Sequence, residues 1–188
     1  ALLAGNTVVL KPSEQTPLTV KLLKEVWDDA TNVVDVFQVV YGAGEVGHHL
    51  VTTSETDVIC YTGSTAVGQK IAEACAPLFK PVILELGGKD PMVVMEDAHL
   101  DRAADAAIWG GMSNAGQTCT SVERLYVHSN RKDEFISMLR NRIEKLKTGP
   151  DEDSHVGAIT VLNSRDKILS QIDEVRGHAE IIEGTVSN

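Results

Sequence analysis

The stretch TDVICYTGSTAVGQKIAEACAP, residues 56–77, decides the fold class. An apolar run typical of a buried strand reaches the small-residue turn Gly63–Ser64–Thr65, and apolar residues then recur at helical spacing. Ser64 or Thr65 is suited to cap that helix. A strand that passes through such a turn into a helix is the first half of a strand–helix–strand unit, which predicts a parallel strand further along.

The same alternation continues on both sides of this stretch. Strands are predicted at 6–11, 34–42, 56–63, 81–88, 91–97 and 122–128, and helices at 17–30, 43–53, 64–77, 99–115, 131–149 and 163–179. We expect Gly149 and Pro150 to stop the fifth helix, and Asn163 or Ser164 to cap the sixth. The sequence therefore predicts an α/β fold, with a parallel sheet and covering helices in residues 1–87 and a second α/β unit in residues 88–188.

Composition and charge exclude several classes of protein. The 188 residues carry a formal net charge of −10 and no long basic run, which argues against a nucleic-acid partner. No apolar run approaches the roughly 20 residues of a membrane span, and no signal peptide is visible. The three cysteines are far apart, which fits a reducing compartment such as the cytoplasm. The chain starts without Met or a helix cap, so we expect it to be an internal fragment.

The segment GAGEVG has the best-known spacing in the chain. Gly42, Gly44 and Gly47 give G-x-G-x-x-G after an apolar run, the usual dinucleotide-binding fingerprint. That fingerprint needs an acid at the end of the next strand, where this chain has Tyr61 and Thr62. We therefore interpret the three glycines as a tight turn that lines the adenine side of a cofactor at most.

Two other strand ends carry better candidates for cofactor contacts. Gly63 and Ser64 open a helix whose free N–H groups suit a phosphate, although a simply capped helix explains them equally well. Lys11 and Glu14 follow the first strand and could hold a ribose diol, although a solvated turn is the alternative. Both pairs lie where ligands bind in parallel sheets.

Cys119 and Glu85 are the candidates for chemistry. Cys119 lies between a helix and a strand in small and polar residues, whereas Cys60 and Cys75 lie in apolar element interiors and are expected to be buried. An exposed thiol near backbone N–H groups could act as a nucleophile. Glu85 ends an apolar strand and could be a general base, unless it is a structural carboxylate paired with Lys89.

The histidines suggest no metal site. Only His48 and His49 are close together among the six, and adjacent residues on a helix point in different directions. We assign no metal.

Four segments together resemble the NAD(P)-dependent aldehyde dehydrogenase superfamily. They are GNTVVLKPSEQTPLT, TGSTAVG, LELGGKDP and NAGQTC, in the family's order and at similar spacing. The resemblance runs to about Gly149 and then fades. It implies a Rossmann-like, partial dinucleotide-binding domain in residues 1–87 and part of a thiol-bearing catalytic domain in residues 88–188.

The resemblance also implies roles for matching residues. Cys119 looks like the nucleophile that forms a thiohemiacetal and then a thioester, its backbone N–H forms half of an oxyanion hole, and Glu85 looks like the base. The positions implied to contact the cofactor are Lys11, Glu14, Gly63, Ser64, Leu86 and Gly87. Asn114 and Gly116 look like residues that shape the nucleophile loop. A carboxylate at Glu14 favours NAD over NADP, and the implied substrate is a small aldehyde.

Several family features are missing from the chain. An upstream Asn of the oxyanion hole, a downstream Glu and the oligomerisation strands have no counterpart, so we expect this piece alone to be inactive and its parent to be a homo-oligomer. Two alternatives stay open: a non-catalytic family member that acts as a binding or structural module, and a cofactor-independent thiol esterase that uses Cys119.

Overall fold

Two strand–helix–strand units follow each other in the first half of the chain. The structure, a computed structural model, describes residues 1–181. Its strands and helices up to residue 86 are β1 (Val8–Leu10), α1 (Pro17–Ala30), β2 (Phe37–Val39), α2 (Gly44–Thr52), β3 (Ile59–Gly63), α3 (Thr65–Cys75) and β4 (Val82–Leu86). β1 pairs in parallel with β2, and β3 pairs in parallel with β4. The α/β class predicted from the alternation is confirmed.

These four strands form two separate pairs rather than one sheet. In the part of the chain that the structure describes, β1 is hydrogen-bonded to β2 alone, and β3 to β4 alone. Apolar periodicity identifies a strand but carries no information about which strand lies beside it, because backbone groups form the ladder. The expected single sheet is therefore replaced by two parallel ribbons.

Local sequence explains how the helices of this half begin. Pro17 occupies the first turn of α1, where its missing N–H costs nothing. Ser64 is the N-cap of α3, and its Oγ accepts a hydrogen bond from the Val67 N–H at 3.4 Å. The indole ring of Trp27 on α1 meets Phe37 of β2 edge-on, with ring centroids 5.7 Å apart. This contact fixes α1 against its own strand pair.

The expectation for the two interior cysteines is half right. Cys75 at the end of α3 is buried, but Cys60 in β3 is exposed. Side chains alternate between the two faces of a strand, and Ile59 and Tyr61 lie on the other face, where they are partly buried. Cys60 was wrongly expected to be buried because a short apolar run does not reveal whether both faces are covered.

A second set of elements follows from residue 87. It consists of β5 (Asp90–Val94), α4 (Leu100–Met112), β6 (Val122–Val127), α5 (Lys132–Ile143) and α6 (Leu162–Val175). β5 and β6 are parallel and are connected by α4. The buried core lies between these strands and helices and consists of Val94, Leu100, Ala104, Ala107 and Phe135. The predicted second α/β unit is present.

An ion-pair fork holds α4 against α5. Arg142 donates from Nε to Asp105 Oδ1 at 2.7 Å and from Nη2 to Asp101 Oδ1 at 3.1 Å. These hydrogen bonds, the one to Asp105 first, raise the pKa of Arg142 above its usual value. The charged guanidinium therefore bridges two carboxylates that lie one turn apart on α4.

The boundaries of the last two helices differ from the prediction. α5 ends at Ile143, well before Gly149, and the chain then turns so that the Lys147 N–H donates to His155 Nδ1 at 2.9 Å. α6 starts at Leu162 with Val161 as N-cap, so Asn163 and Ser164 lie inside its first turn and do not cap it. Both differences lie at helix ends, which depend on the hydrogen bonds of the flanking turns and are less well determined by sequence than the helices themselves.

The chain divides into two compact units, Ala1–Leu86 and Gly87–Asn188. The division falls one residue before the boundary predicted from sequence. The assignment of the two units as a cofactor domain and a catalytic domain stays a prediction. Among residues 1–181, no helix has both the length and the apolar character needed to cross a bilayer.

Candidate active site

Lys11 connects the ends of β1 and β2. Its Nζ donates to the carbonyl oxygen of Pro12 at 2.7 Å and to that of Gly42 at 2.9 Å, and it lies 3.8 Å from Glu14 Oε2. The Lys11 side chain is largely buried, whereas that of Glu14 is exposed. The ammonium is thus held in place by carbonyl groups, and the neighbouring carboxylate remains free to accept hydrogen bonds from a ligand.

The glycines of GAGEVG do not have the packing that a fingerprint requires. In that motif the third glycine permits close packing of helix on strand. A Cβ added at Gly47 would meet only the Lys11 side chain, at an ordinary 3.5 Å, and one added at Gly44 would meet nothing within 4 Å. Only Gly42 is demanding, since its φ of 151° lies outside the range that other residues adopt easily. The segment consists of the bend after β2 and the first turn of α2, which contains Gly44 and Gly47, and it lacks the packing of a fingerprint.

Close packing of helix on strand occurs instead at Gly68. A Cβ there would lie 2.7 Å from Cδ2 of Leu86, so α3 approaches the end of β4 only because residue 68 is glycine. At the end of β3, a Cβ on Gly63 would lie 2.2 Å from the Tyr61 hydroxyl. In the strand–helix unit of β3 and α3, Gly63 and Gly68 are therefore the glycines at which a Cβ would overlap a neighbouring side chain.

The ends of β3 and β4 bring four of the predicted site residues together. Gly63 lies directly opposite Leu86 in the parallel ladder, and Thr62 lies opposite Glu85. Ser64 follows Gly63 at the start of α3. The first N–H groups of α3 point out of this end of the helix, where they suit an anion. Gly87 begins the second unit, and a Cβ there would have nothing within 4 Å.

Glu85 is not paired with Lys89. Its side chain is exposed on β4, and Lys89 instead forms an ion pair with Glu123, with 2.8 Å between Nζ and Oε1. Arg124 adds a hydrogen bond from Nε to the Lys89 carbonyl at 2.9 Å. The structural alternative for Glu85, a salt bridge with Lys89, is therefore wrong. Glu85 and Cys119 belong to different compact units.

Cys119 lies on a turn with unusual backbone geometry. Its thiol is exposed and free. Just before it, Asn114, Ala115 and Gly116 all have positive φ, at 52°, 57° and 72°. The left-handed conformation costs a non-glycine residue about 1–2 kcal/mol. Such strain persists only where surrounding contacts hold it, and it is frequent at functional sites.

Close contacts fix this turn on α4. The buried Ser121 Oγ donates to the carbonyl oxygen of Gly110 at 3.1 Å. A Cβ on Gly110 would lie 2.8 Å from Val122 Cγ2, and one on Gly116 would lie 3.2 Å from the Gly111 carbonyl. Gly110, Gly111 and Gly116 thus allow the end of α4, the turn before Cys119 and the start of β6 to pack together. This supports the expectation that Gly116 shapes the nucleophile loop.

Three consecutive backbone amides around the thiol have no partner. Within residues 1–181, the N–H groups of Thr118, Cys119 and Thr120 make no hydrogen bond. Unpaired amides next to an exposed thiol can receive an oxyanion that forms on a carbonyl attacked by that thiol. The family resemblance implied a role for the Cys119 amide alone. The structure adds the amides of Thr118 and Thr120 as further candidates.

Sequence reasoning missed Gln117. Its carboxamide bonds to Asn114 and to residues 158 and 160, which lie more than 40 positions along the chain. Its only sequence signal was its place in NAGQTC, because periodicity and spacing say nothing about a partner so far away. In the described residues, no three His, Cys, Asp or Glu side chains are grouped so that they could hold a metal ion.

Fold and candidate site define an α/β protein with a Rossmann-like first unit and an exposed thiol on a strained turn in the second. A profile described as "Aldehyde dehydrogenase family" matches residues 1–187. The chain belongs to the aldehyde dehydrogenase family.

Individual relatives agree with this assignment. The chain is 40% identical to "Aldehyde dehydrogenase, mitochondrial" of Leishmania tarentolae over 98% of its own length and 38% of the relative. It is also 40% identical to "D-glyceraldehyde dehydrogenase (NADP(+))" of Picrophilus torridus, over 94% of its length and 36% of the relative. A crystal structure of betaine aldehyde dehydrogenase from Staphylococcus aureus in complex with NAD+ superposes with a TM-score of 0.89 at 34% identity, covering 95% of this chain and 36% of that one. The chain thus spans less than two fifths of these relatives.

Proposed function

We propose that the full-length protein to which this chain belongs oxidises an aldehyde to a carboxylic acid with NAD, using Cys119 as the nucleophile. The single observation that carries the proposal is the exposed Cys119 thiol beside three unpaired amides. Membership of the aldehyde dehydrogenase family supports the choice of an aldehyde as substrate.

The chain's own residues supply the steps at the carbonyl carbon. The Cys119 thiolate adds to the aldehyde carbon, so a C–S bond forms and the carbonyl π bond places its electron pair on oxygen. The amides of Thr118, Cys119 and Thr120 are the donors available to that oxyanion. A bound NAD would supply the acceptor for the hydride that is released when the C–H bond breaks, which leaves a thioester on Cys119. Water then adds to the thioester, the C–S bond breaks, and the thiolate is regenerated.

Glu85 is proposed as the base for the water. It would take one proton as the water oxygen bonds to the thioester carbon, and release it to solvent afterwards. Its exposed position at the carboxyl end of β4, with no ion pair to Lys89, leaves the carboxylate free for this task. Ligands in parallel α/β units bind at such strand ends.

The residues at the strand ends of the first unit fit a nicotinamide dinucleotide. The start of α3 with Gly63 and Ser64 suits a pyrophosphate, and the neighbouring Leu86 offers an apolar surface. Lys11 and Glu14 offer a donor and an acceptor to ribose hydroxyl groups. The exposed Glu14 carboxylate would repel a 2′-phosphate, which favours NAD over NADP, although one relative is named for NADP(+).

Labelling of the thiol tests the proposal in the full-length protein. Incubation with an aldehyde and NAD should yield an acyl adduct on Cys119 by mass spectrometry, and Cys119→Ala should lower kcat by more than about 10³-fold. Cys60→Ala is the matched control, because Cys60 is also exposed but lies on β3, and it should leave kcat unchanged. If Cys119→Ala still reduced NAD at the wild-type rate, the proposed nucleophile would be wrong. Hydrolysis of an ester that depends on Cys119 but needs no NAD would favour the thiol esterase, and the absence of both activities would favour the non-catalytic module.

We further propose that residues 1–188 alone are inactive and that the whole protein assembles into a homo-oligomer in a reducing compartment such as the cytoplasm. The apolar residues Leu18, Leu22, Leu23 and Val26 of α1 are at least half exposed, a surface that other segments or subunits would cover. Two of the three cysteines are exposed and unpaired. Sedimentation of the full-length protein and cell fractionation test these statements.

A further inference from the structure

The side chain of Gln117 bridges two segments that are distant in sequence. Its Nε2 donates to the carbonyl oxygens of Asn114 at 3.1 Å and Ala158 at 3.4 Å, and its Oε1 accepts from the Thr160 N–H at 2.9 Å. The backbone takes part as well, since the Gln117 N–H donates to the Asn114 carbonyl and the Asn114 side chain donates to the Gln117 carbonyl, both at 3.1 Å. The strained turn before Cys119 is thereby closed by one residue.

Only a carboxamide of this length can make these contacts. It has two N–H donors and one acceptor oxygen, and the structure uses all three. A glutamate at this position would have no donor when ionised, and its charge would face the carbonyl oxygens of Asn114 and Ala158. A methionine would keep the shape but lose every hydrogen bond.

The contacts act on the part of the turn that determines the direction of the amides. Asn114 and Ala115 are held in the left-handed region at φ 52° and 57°, which each residue would leave if its neighbours did not hold it. The unpaired amides of Thr118 and Cys119 follow Gln117 directly. Relaxation of the turn would therefore change the direction of these donors.

We propose that Gln117 is a positioning residue that aligns the Thr118 and Cys119 amides by tying the nucleophile turn to residues 158–160. This inference rests on the proposed function, because the amides matter only if an oxyanion forms at Cys119. The residue touches neither substrate nor thiol in this role. It acts through the backbone of the turn.

Gln117→Met in the full-length protein provides the test. We expect kcat to fall about 10–100-fold, which is the loss that results when a catalytic group is displaced by about 1 Å. The KM for NAD should change by less than about twofold, because the proposed cofactor contacts lie in the other unit. The rate of Cys119 alkylation by iodoacetamide should stay within about threefold of the wild-type rate, because the thiol is already exposed. A purely structural defect would lower kcat, the affinity for NAD and the alkylation rate together.

Gln38→Met is the matched control. Gln38 is exposed, and its Nε2 donates to Asp35 Oδ1 at 3.2 Å, a contact within one short segment, so all three measurements should remain at wild-type values. Wild-type kcat in Gln117→Met, or a parallel loss of kcat, NAD affinity and alkylation, overturns the proposal.

A second variant covers the case in which Gln117→Met does not fold. Gln117→Glu should show the same loss of kcat at pH 8 and a smaller loss near pH 5, since the facing carbonyl oxygens favour a protonated carboxyl and this form regains one donor. Wild-type kcat at pH 8, or failure of both variants to fold, would assign Gln117 a structural role instead. Cys119→Ala separates the two proposals: if it stays active, the proposed function fails, whereas an essential Cys119 with a dispensable Gln117 refutes only the positioning role.

Discussion

Two helical glycines should respond in opposite ways to the same substitution. Gly68→Ala places a Cβ 2.7 Å from Cδ2 and 3.1 Å from Cδ1 of Leu86, well inside the roughly 3.5–4.0 Å of a favourable carbon contact. Overpacking of this kind costs about 1–3 kcal/mol. The gain in helix propensity returns about 1 kcal/mol, so we expect a net destabilisation of up to about 2 kcal/mol.

Gly47→Ala is the matched control on α2. Its new Cβ would meet the Lys11 side chain at 3.5 Å, which is ordinary contact, so only the propensity gain remains. We expect a stabilisation of about 0.5–1 kcal/mol. If GAGEVG were a true fingerprint with its helix packed tightly on a strand, Gly47→Ala would instead be the damaging variant.

Thermal unfolding of the full-length protein without cofactor measures both effects. A loss of stability lowers Tm and a gain raises it, so Gly68→Ala should lower Tm and Gly47→Ala should raise it. Leu86→Ala should relieve the clash, so that Gly68→Ala costs less in that background than in the wild type. Equal Tm values for the two glycine variants, or an unchanged cost after Leu86→Ala, would refute the packing argument.

Two further changes test the strained turn and the cofactor contact. Ala115→Gly should stabilise the full-length protein by about 0.5–1 kcal/mol, because glycine removes the left-handed strain at φ 57° but adds entropy to the unfolded chain. The control Ala106→Gly, at an exposed position of a helix, should destabilise the protein by about 1 kcal/mol. Urea unfolding midpoints measure both changes, and shifts of the same sign would contradict the assignment of strain. Glu14→Gln should weaken NAD binding about tenfold, as expected for the loss of one charged hydrogen bond, and should raise the affinity for NADP relative to that for NAD. Initial rates with each cofactor measure this preference, and an unchanged preference would remove Glu14 from the ribose site.

Much of the fold could be read from local signals. α1 spans the predicted residues 17–30 because Pro17 marks its start and apolar residues follow at helical spacing. The six predicted strands are all present, although the structure shortens them; β2, for example, is reduced to Phe37–Val39. Strand ends lie in turns whose hydrogen bonds depend on neighbours, so boundaries are less well determined than the existence of a strand.

The errors share one cause. Helix α5 was predicted to reach Gly149, yet the chain leaves it after Ile143 to bond with His155. Cys60 was expected inside, yet its strand is covered on one face only. In each case a distant segment, or its absence from one face, outweighed the local pattern.

The sequence by itself determined the α/β class, the order of strands and helices, and the candidate residues at strand ends, because periodicity and turn chemistry are local properties of the chain. Only the tertiary structure decided which strands pair, that Gly68 rather than Gly47 allows close packing, and that Gln117 reaches residues 158 and 160. These are contacts across space, and they depend on backbone ladders and side-chain shapes that leave no period in the sequence.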